Sequence, residues 1–195
     1  AWNLVGGDTH RFALHVTEVR EDHCVTRICP CGNRFHPVSE TVRPFSQGGV
    51  LLEEPALSVS ATILDHGIPC LGFSLRERFH LNIIRENLTS LGLDTGPWLT
   101  AFKEALFRNS AISAAGFSEG PIFRVPDGRA FALGDLAARI ASIRPGLKLS
   151  YITDTRYSRS NSEKIIRLVR GADMLFIEAA FLDRERRMAW EKHHL

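Results

Sequence analysis

Hydrophobic and polar positions alternate through much of the first third of the chain. RFALHVTEV (11–19) steps apolar and polar with a period of two. HCVTRICPCGNRF (23–35) does the same and carries a turn signal at Cys31-Gly32-Asn33. GGVLLEE (48–54) follows a glycine pair and is stopped by Pro55, and LSVSATIL (57–64) completes the set. Even AWNLVGG at the start has strand-like character. Period-two alternation bounded by turn residues predicts strands, here an antiparallel meander over 11–64. Beyond residue 76 the period changes. RERFHLNIIRENLTSLGL (76–93) places Phe79, Ile83, Ile84 and Leu88 at helical spacing and predicts a helix ending near Gly92. DTGPWLTAFKEALFRNS (94–110) predicts another, with Pro97 in its first turn. FRVPDGRAFALGDLAARIASI (123–143) reads as a hairpin turning at Pro126-Asp127-Gly128, then a helix from Asp135. Residues 76–145 therefore form a distinct stretch, a subdomain or protruding arm.

Residues 147–178 are the clearest unit. LKLSYIT is a strand running into Asp154, SNSEKIIRLVRGA is a helix with N-caps offered by Ser160 to Ser162 and a stop at Gly171, and DMLFI is a second strand running into Glu178. Strand, helix and strand at this length form a βαβ unit, which puts the fold in the α/β class. Its strands are parallel, so Asp154 and Glu178 emerge at one sheet edge, the carboxyl edge where α/β proteins place ligands.

That geometry changes the meaning of the polar strand ends. The strand 57–64 also ends on ionisable groups, Asp65 and His66, and turns at once through Gly67 and Pro69. His194 follows a short charged helix, LDRERRMAWEKHH. Taken singly, each has a bland reading: an Asx turn for Asp154, a solvated loop histidine for His66. Taken together they match the neutral imidazole and carboxylate set that binds Zn²⁺ or a similar metal. Cys24, Cys29 and Cys31, with His36 close by, are a rival metal site. Their C-x₄-C-x-C spacing fits no common structural zinc site, and a strand pair presenting small buried thiols is the better reading.

Composition adds little. The 195 residues are 44% hydrophobic and 24% charged, an ordinary globular balance for one large or two small domains. A net charge of +2 does not by itself announce a nucleic-acid binder. Lys103, Lys148, Lys164 and Lys192 are the only lysines among 24 basic residues; the arginine excess suits phosphate contacts and equally a GC-rich coding bias. No apolar run approaches the roughly 20 residues that span a bilayer, and the cysteines suggest no disulfide framework, so a reducing cytoplasm is expected.

Three segments, ATILDHGIPCLGFSLRE, LSYITDTRYS and ADMLFIEAAFLDRERRMAWEKHHL, in this order and spacing, resemble the tRNase Z (ribonuclease Z) family, endonucleases of metallo-β-lactamase fold that trim precursor tRNA. The resemblance covers about residues 46–195. It implies a partial metallo-β-lactamase fold (an αββα sandwich). Residues 1–75 would be its β-rich part, 76–145 the inserted tRNA-clamping arm and following helix, and 146–195 the βαβ part. By the same resemblance His66 and Asp154 are metal ligands, Asp154 bridging two Zn²⁺ ions, and Glu178 and His194 act together near the leaving group. Gly96-Pro97 match the arm's Gly-Pro signature, and Lys103 in the same stretch is a further substrate contact. Ile177 and Ala180 depart from the family's His-Glu-Ala-Thr motif. Its H-x-H-x-D-H motif and last ligand histidine are absent, as expected of part of a longer protein, so these 195 residues alone are expected to be inactive.

The chemistry implied is zinc-dependent endonucleolytic removal of the 3′ trailer from precursor tRNA. Two metals about 3.5–4 Å apart can hold a hydroxide and clamp a phosphate, and a histidine held by a carboxylate can protonate the leaving oxygen. A homodimer is implied by the family and a membrane is not. The alternatives are a phosphodiesterase or arylsulfatase-like hydrolase of small substrates, which the insertion of 76–145 argues against, and a metal-free RNA-binding half, which His66 and Asp154 argue against.

Overall fold

A computed structural model describes residues 12–109, 120–192 and 194; the strand-like reading of 1–7 lies outside them. Its elements are mixed α/β, in three groups. The first is a three-stranded antiparallel sheet of β1 (Ala13–Val19), β2 (His23–Pro30) and β3 (Ser39–Pro44), ordered β1-β2-β3. The second is a five-stranded sheet. Its members are β4 (Val50–Glu53), β5 (Leu57–Asp65), β6 (Pro69–Glu77), and two strands from the end of the chain described below. The predicted single meander over 11–64 is thus two separate sheets. The strands were legible, but nothing in a period-two pattern says which neighbour a strand pairs with.

The third group is the insertion. Phe79–Ile83 is a strand, β7, and only Arg85–Ser90 is helical (α1), so the predicted helix over 76–93 is corrected. Phe79 and Leu81 are buried while His80 and Asn82 are exposed, a period of two that Ile84 and Leu88 disguise as helical spacing. Next come α2 (Trp98–Arg108), with Pro97 just before it, and a hairpin of β8 (Ile122–Arg124) and β9 (Ala130–Ala132). The hairpin turns at Pro126–Gly128, where Gly128 has φ +89°, a conformation that favours glycine. α3 (Leu133–Ile140) and β10 (Ala141–Pro145) complete it. β10 pairs antiparallel with β7, Ile83 opposite Ala141, so the insertion leaves and rejoins the chain through one two-stranded stem. It has its own core: Phe102, Leu106, Leu133, Leu136 and Ile140 are fully buried together with Phe79.

The βαβ unit forms as predicted: β11 (Lys148–Ile152), α4 (Arg159–Val169) and β12 (Met174–Ile177), with β11 and β12 parallel. The N-cap of α4 is Ser158, whose hydroxyl accepts the N–H of Asn161, rather than Ser160 to Ser162. These strands complete the second sheet, ordered β12-β11-β6-β5-β4. β6 runs antiparallel to both β5 and β11, so β5, β11 and β12 all end at one edge. One face of this sheet is covered by α4, whose Ile165 and Leu168 pack on Leu64 and Ile152. Gly72 lies beneath them because a Cβ there would come 2.9 Å from the Ile152 Cδ1 atom. On the opposite face Leu149, Tyr151, Met174 and Phe176 are exposed. A short helix, α5 (Arg186–Lys192), comes last, and among the described residues no helix is long and apolar enough to cross a membrane.

Candidate metal centre

The shared strand edge collects the polar residues. Asp154 follows β11, Glu178 follows β12 and is tied to the end of β11 by its N–H to Ile152 O at 3.3 Å, and His66 follows β5. His194 arrives from the turn after α5, its N–H donating to Ala189 O. His194 Nδ1 stands 3.7 Å from Glu178 Oε1 and 3.8 Å from Asp154 Oδ1, and one ligand atom from each of the three lies within 4.8 Å of the others. His66 joins them edge-on, its ring 4.9 Å from that of His194. The four residues singled out in the sequence therefore meet at one place. Gly96, Pro97 and Lys103 do not join them; they sit on α2 and its entry, in the insertion.

Two features bear on what this group can hold. Asp154 Oδ1 is buried and has no hydrogen-bond partner among the described residues, an arrangement that costs free energy unless something donates to it or coordinates it. Glu178 holds its proton above the ordinary glutamate range, chiefly because the carboxyl of Asp154 lies against it and then through burial, with the imidazoles of His194 and His66 pulling the other way. Two carboxyls crowded together beside two imidazoles form an oxygen and nitrogen donor set that fits a divalent cation such as zinc. Among the described residues this is the one such group: Cys24, Cys29 and Cys31 are buried free thiols that do not converge with a third ligand.

The crowding has a measurable sign. A carboxyl whose folded-state pKa is raised stabilises the fold fully below the unfolded value, 4.5 for glutamate, and loses that contribution as pH rises through the folded value. In metal-free protein, Glu178→Gln should therefore melt increasingly above wild type as pH is raised from about 4 to 8. A constant gap over that range would show that the two carboxyls do not interact.

One residue that holds the site escaped the sequence reading. Asn161 is 1% exposed. Its Oδ1 accepts the N–H of Asp65, and its Nδ2 donates to Asp65 O, Thr155 Oγ1 and Arg156 O. Arg156 also forms an ion pair with Asp65, and its backbone N–H donates to Asp65 O. Asn161 thus straps the turn carrying His66 to the loop carrying Asp154, from the first turn of α4. Its only sequence signal is an Asn one residue into a serine-rich helix start, which reads as a cap. Asn161→Ala strands several buried groups at once, at about 1–3 kcal/mol for an unsatisfied group. We expect an overall loss of about 2–4 kcal/mol in denaturant unfolding and a weaker response of the His66 resonances to added zinc. Unchanged stability would mean that the strap is not formed.

Beside His194 opens a cavity of about 600 Å³, lined by Tyr157, Phe181 and Trp190 among others.

No family model matches the chain. It is similar to curated ribonucleases Z. The relative from Deinococcus radiodurans is 32% identical over 146 residues, 75% of this chain and 40% of the relative. The one from Prochlorococcus marinus is 32% identical over 151 residues, 76% of this chain and 40% of the relative. The one from Anoxybacillus flavithermus is 27% identical over 190 residues, 97% of this chain and 53% of the relative. The resemblance to ribonuclease Z holds over most of the chain, which spans about two fifths to one half of the length of these relatives.

Proposed function

We propose that this chain, as a relative of the ribonucleases Z, carries part of a zinc-dependent endoribonuclease that removes the 3′ trailer of precursor tRNA. The observation that supports the reading best is the convergence of His66, Asp154, Glu178 and His194 at one sheet edge. The five-stranded sheet with α4 on one face would be half of a metallo-β-lactamase sandwich, and 76–145 the substrate-clamping insertion.

In this reading His66 and Asp154 would hold the zinc, Asp154 being able to offer two carboxylate oxygens. Bound zinc would polarise the scissile phosphate and lower the pKa of a water to near neutrality. His194, protonated and held by Glu178, would give its proton to the departing ribose 3′-oxygen. Glu178, 3.7 Å from Nδ1 of His194, would keep the imidazole aimed. Tyr157, Phe181 and Trp190 beside His194 offer ring faces on which a base next to the cleaved bond can stack. The insertion would contribute phosphate contacts remote from the chemistry, reading tRNA shape through Lys103 and the Gly96-Pro97 entry to α2.

Zinc titration separates this reading from a site on the cysteines. The 195-residue chain should bind Zn²⁺ weakly by calorimetry, since His66 and Asp154 fall short of the three protein ligands usual for a catalytic ion. Binding should vanish in Asp154→Ala and persist when Cys24, Cys29 and Cys31 are all replaced by serine. The catalytic half of the reading is tested by adding the metal and a precursor tRNA to an active form of the protein and mapping the new 3′ end. Cleavage anywhere but at the trailer junction would refute it.

A further inference from the structure

A sheet face beneath a helix is normally apolar, yet half of the face under α4 is not. The strand registers arrange it in rows. Leu64 opposes Cys70, and Thr62, Gly72 and Ile152 form the next row, both near the metal centre. Then come Ser60, Ser74 and Ser150, a row of three hydroxyls, with Ser74 Oγ and Ser150 Oγ 3.1 Å apart. The last row is Glu53, Ser58, Arg76 and Lys148. Arg76 and Lys148 are directly opposed across neighbouring strands, and like charges so placed repel. α4 adds Lys164 and Arg167 above the same rows. These four cations face one cavity of about 320 Å³; Glu53 lines an adjoining groove instead, and among the described residues no carboxylate lines the cavity.

The cations are partly fixed and partly free. Lys148 is only 9% exposed; its Nζ donates to Leu168 O and Arg170 O at the end of α4, leaving one N–H over. Asp173 is close, but its carboxylate accepts the backbone N–H of Lys148. Lys164 Nζ donates to Ile63 O and keeps two N–H groups. Arg76 and Arg167 form no ion pair among the described residues. Concentrating four positive charges over a floor of hydroxyls, one of them buried, is unfavourable without a counter-charge. Burial and Arg76 together push the Lys148 ammonium below its usual range.

We propose that this cavity is a binding site for a phosphate group, distinct from the metal centre. Along β5 the lining runs from Ser58 to Thr62, seven to three residues before Asp65 or roughly 23 to 10 Å, so the cavity lies under α4, back from the sheet edge that carries the centre. Hydroxyls and ammonium groups supply donors in every direction, and guanidinium groups match phosphate oxygens in pairs. The cavity is at the small end of ligand pockets, about 300–1,000 Å³, enough for one or two phosphates and part of a carrier. The phosphate would come from an RNA backbone or from a free phosphorylated compound. The inference does not depend on the nuclease reading.

The test titrates the whole 195-residue chain with pyrophosphate and, separately, with a short single-stranded RNA. Pyrophosphate should shift the amide resonances of Ser60, Ser74 and Lys148 in the wild type. Arg76→Gln with Arg167→Gln should weaken its binding by about tenfold or more, the loss expected when charged hydrogen bonds go. Arg20→Gln with Arg34→Gln, which removes the same charge elsewhere, should leave it within about twofold. RNA binding that falls in the cavity variant and is competed by pyrophosphate assigns the site to an RNA backbone. Pyrophosphate binding at the cavity with RNA unaffected assigns it to a free phosphate compound. The proposal is overturned if pyrophosphate does not bind, if the cavity variant binds it as well as wild type, or if the shifts fall at Asp154 and His194 instead.

Discussion

Asp154→Ala should lower hydrolysis of both precursor tRNA and a small phosphodiester by on the order of 10³-fold, about 4 kcal/mol of transition-state stabilisation, in any form of the protein that carries the activity. The same substitution should leave the fold intact or firmer. Asp154 contributes to the structure mainly through its backbone: its carbonyl accepts the Cys70 thiol at 2.8 Å, and alanine keeps that contact. Its carboxyl, by contrast, carries a buried oxygen with no hydrogen-bond partner among the described residues and crowds Glu178. Removing it relieves both, so metal-free Asp154→Ala should melt at or above the wild-type temperature while Glu178 titrates closer to an ordinary glutamate. A site arranged for an ion, not for its own stability, predicts this opposition. A variant that loses activity and stability in proportion would mean Asp154 is structural. Kinetics on both substrates, set beside melts of the metal-free protein, decide between the two.

Excising the insertion should separate binding from chemistry. Ile83 and Ala141 are opposed residues of the β7–β10 stem, so residues 84–140 can be replaced by a two-residue Asn-Gly turn, the connection such a ladder favours. The core of the insertion leaves with it; Phe79 and Leu81 in the stem lose that cover. Whole-tRNA affinity should fall by on the order of 10²-fold and become less salt-dependent, because phosphate contacts are lost. Hydrolysis of a small phosphodiester should stay within a few-fold of normal, since His66, Asp154, Glu178 and His194 all lie outside the excised segment. Survival of tRNA cleavage with loss of small-substrate activity would reverse the assignment.

Much of this arrangement was legible in the chain. The βαβ unit could be read because its parts are local: alternation, a helix at the right length, and parallel strands that force Asp154 and Glu178 to one edge. The hairpin at Pro126–Gly128 was equally local. β7 was misread because Ile83, Ile84 and Leu88 straddle the junction of a strand and a helix and happen to fall at helical spacing. The split of the early strands into two sheets depends on partners far along the chain. Asn161 was invisible for the same reason: its partner Asp65 is 96 residues away. The cationic rows under α4 need three registers at once, and no single segment shows them.

The closed stem of the insertion also bears on how the chain folds. Glu77 and Leu147 lie 70 residues apart yet touch, Leu147 N–H donating to Glu77 Oε2. Were the intervening chain loose, bringing β6 and β11 together would close a long loop. The insertion has a core of its own and can condense first. Once it has, its two ends stand about 5 Å apart, opposite each other in a ladder, and the span left to close is only a dozen or so residues. Loop closure costs about 0.6 kcal/mol less for each halving of length, so early condensation spares roughly 1.5 kcal/mol at the moment β11 docks. Substitutions in the core of the insertion, such as Phe102→Ala, should accordingly slow the formation of the metal centre, although none of those residues touches it.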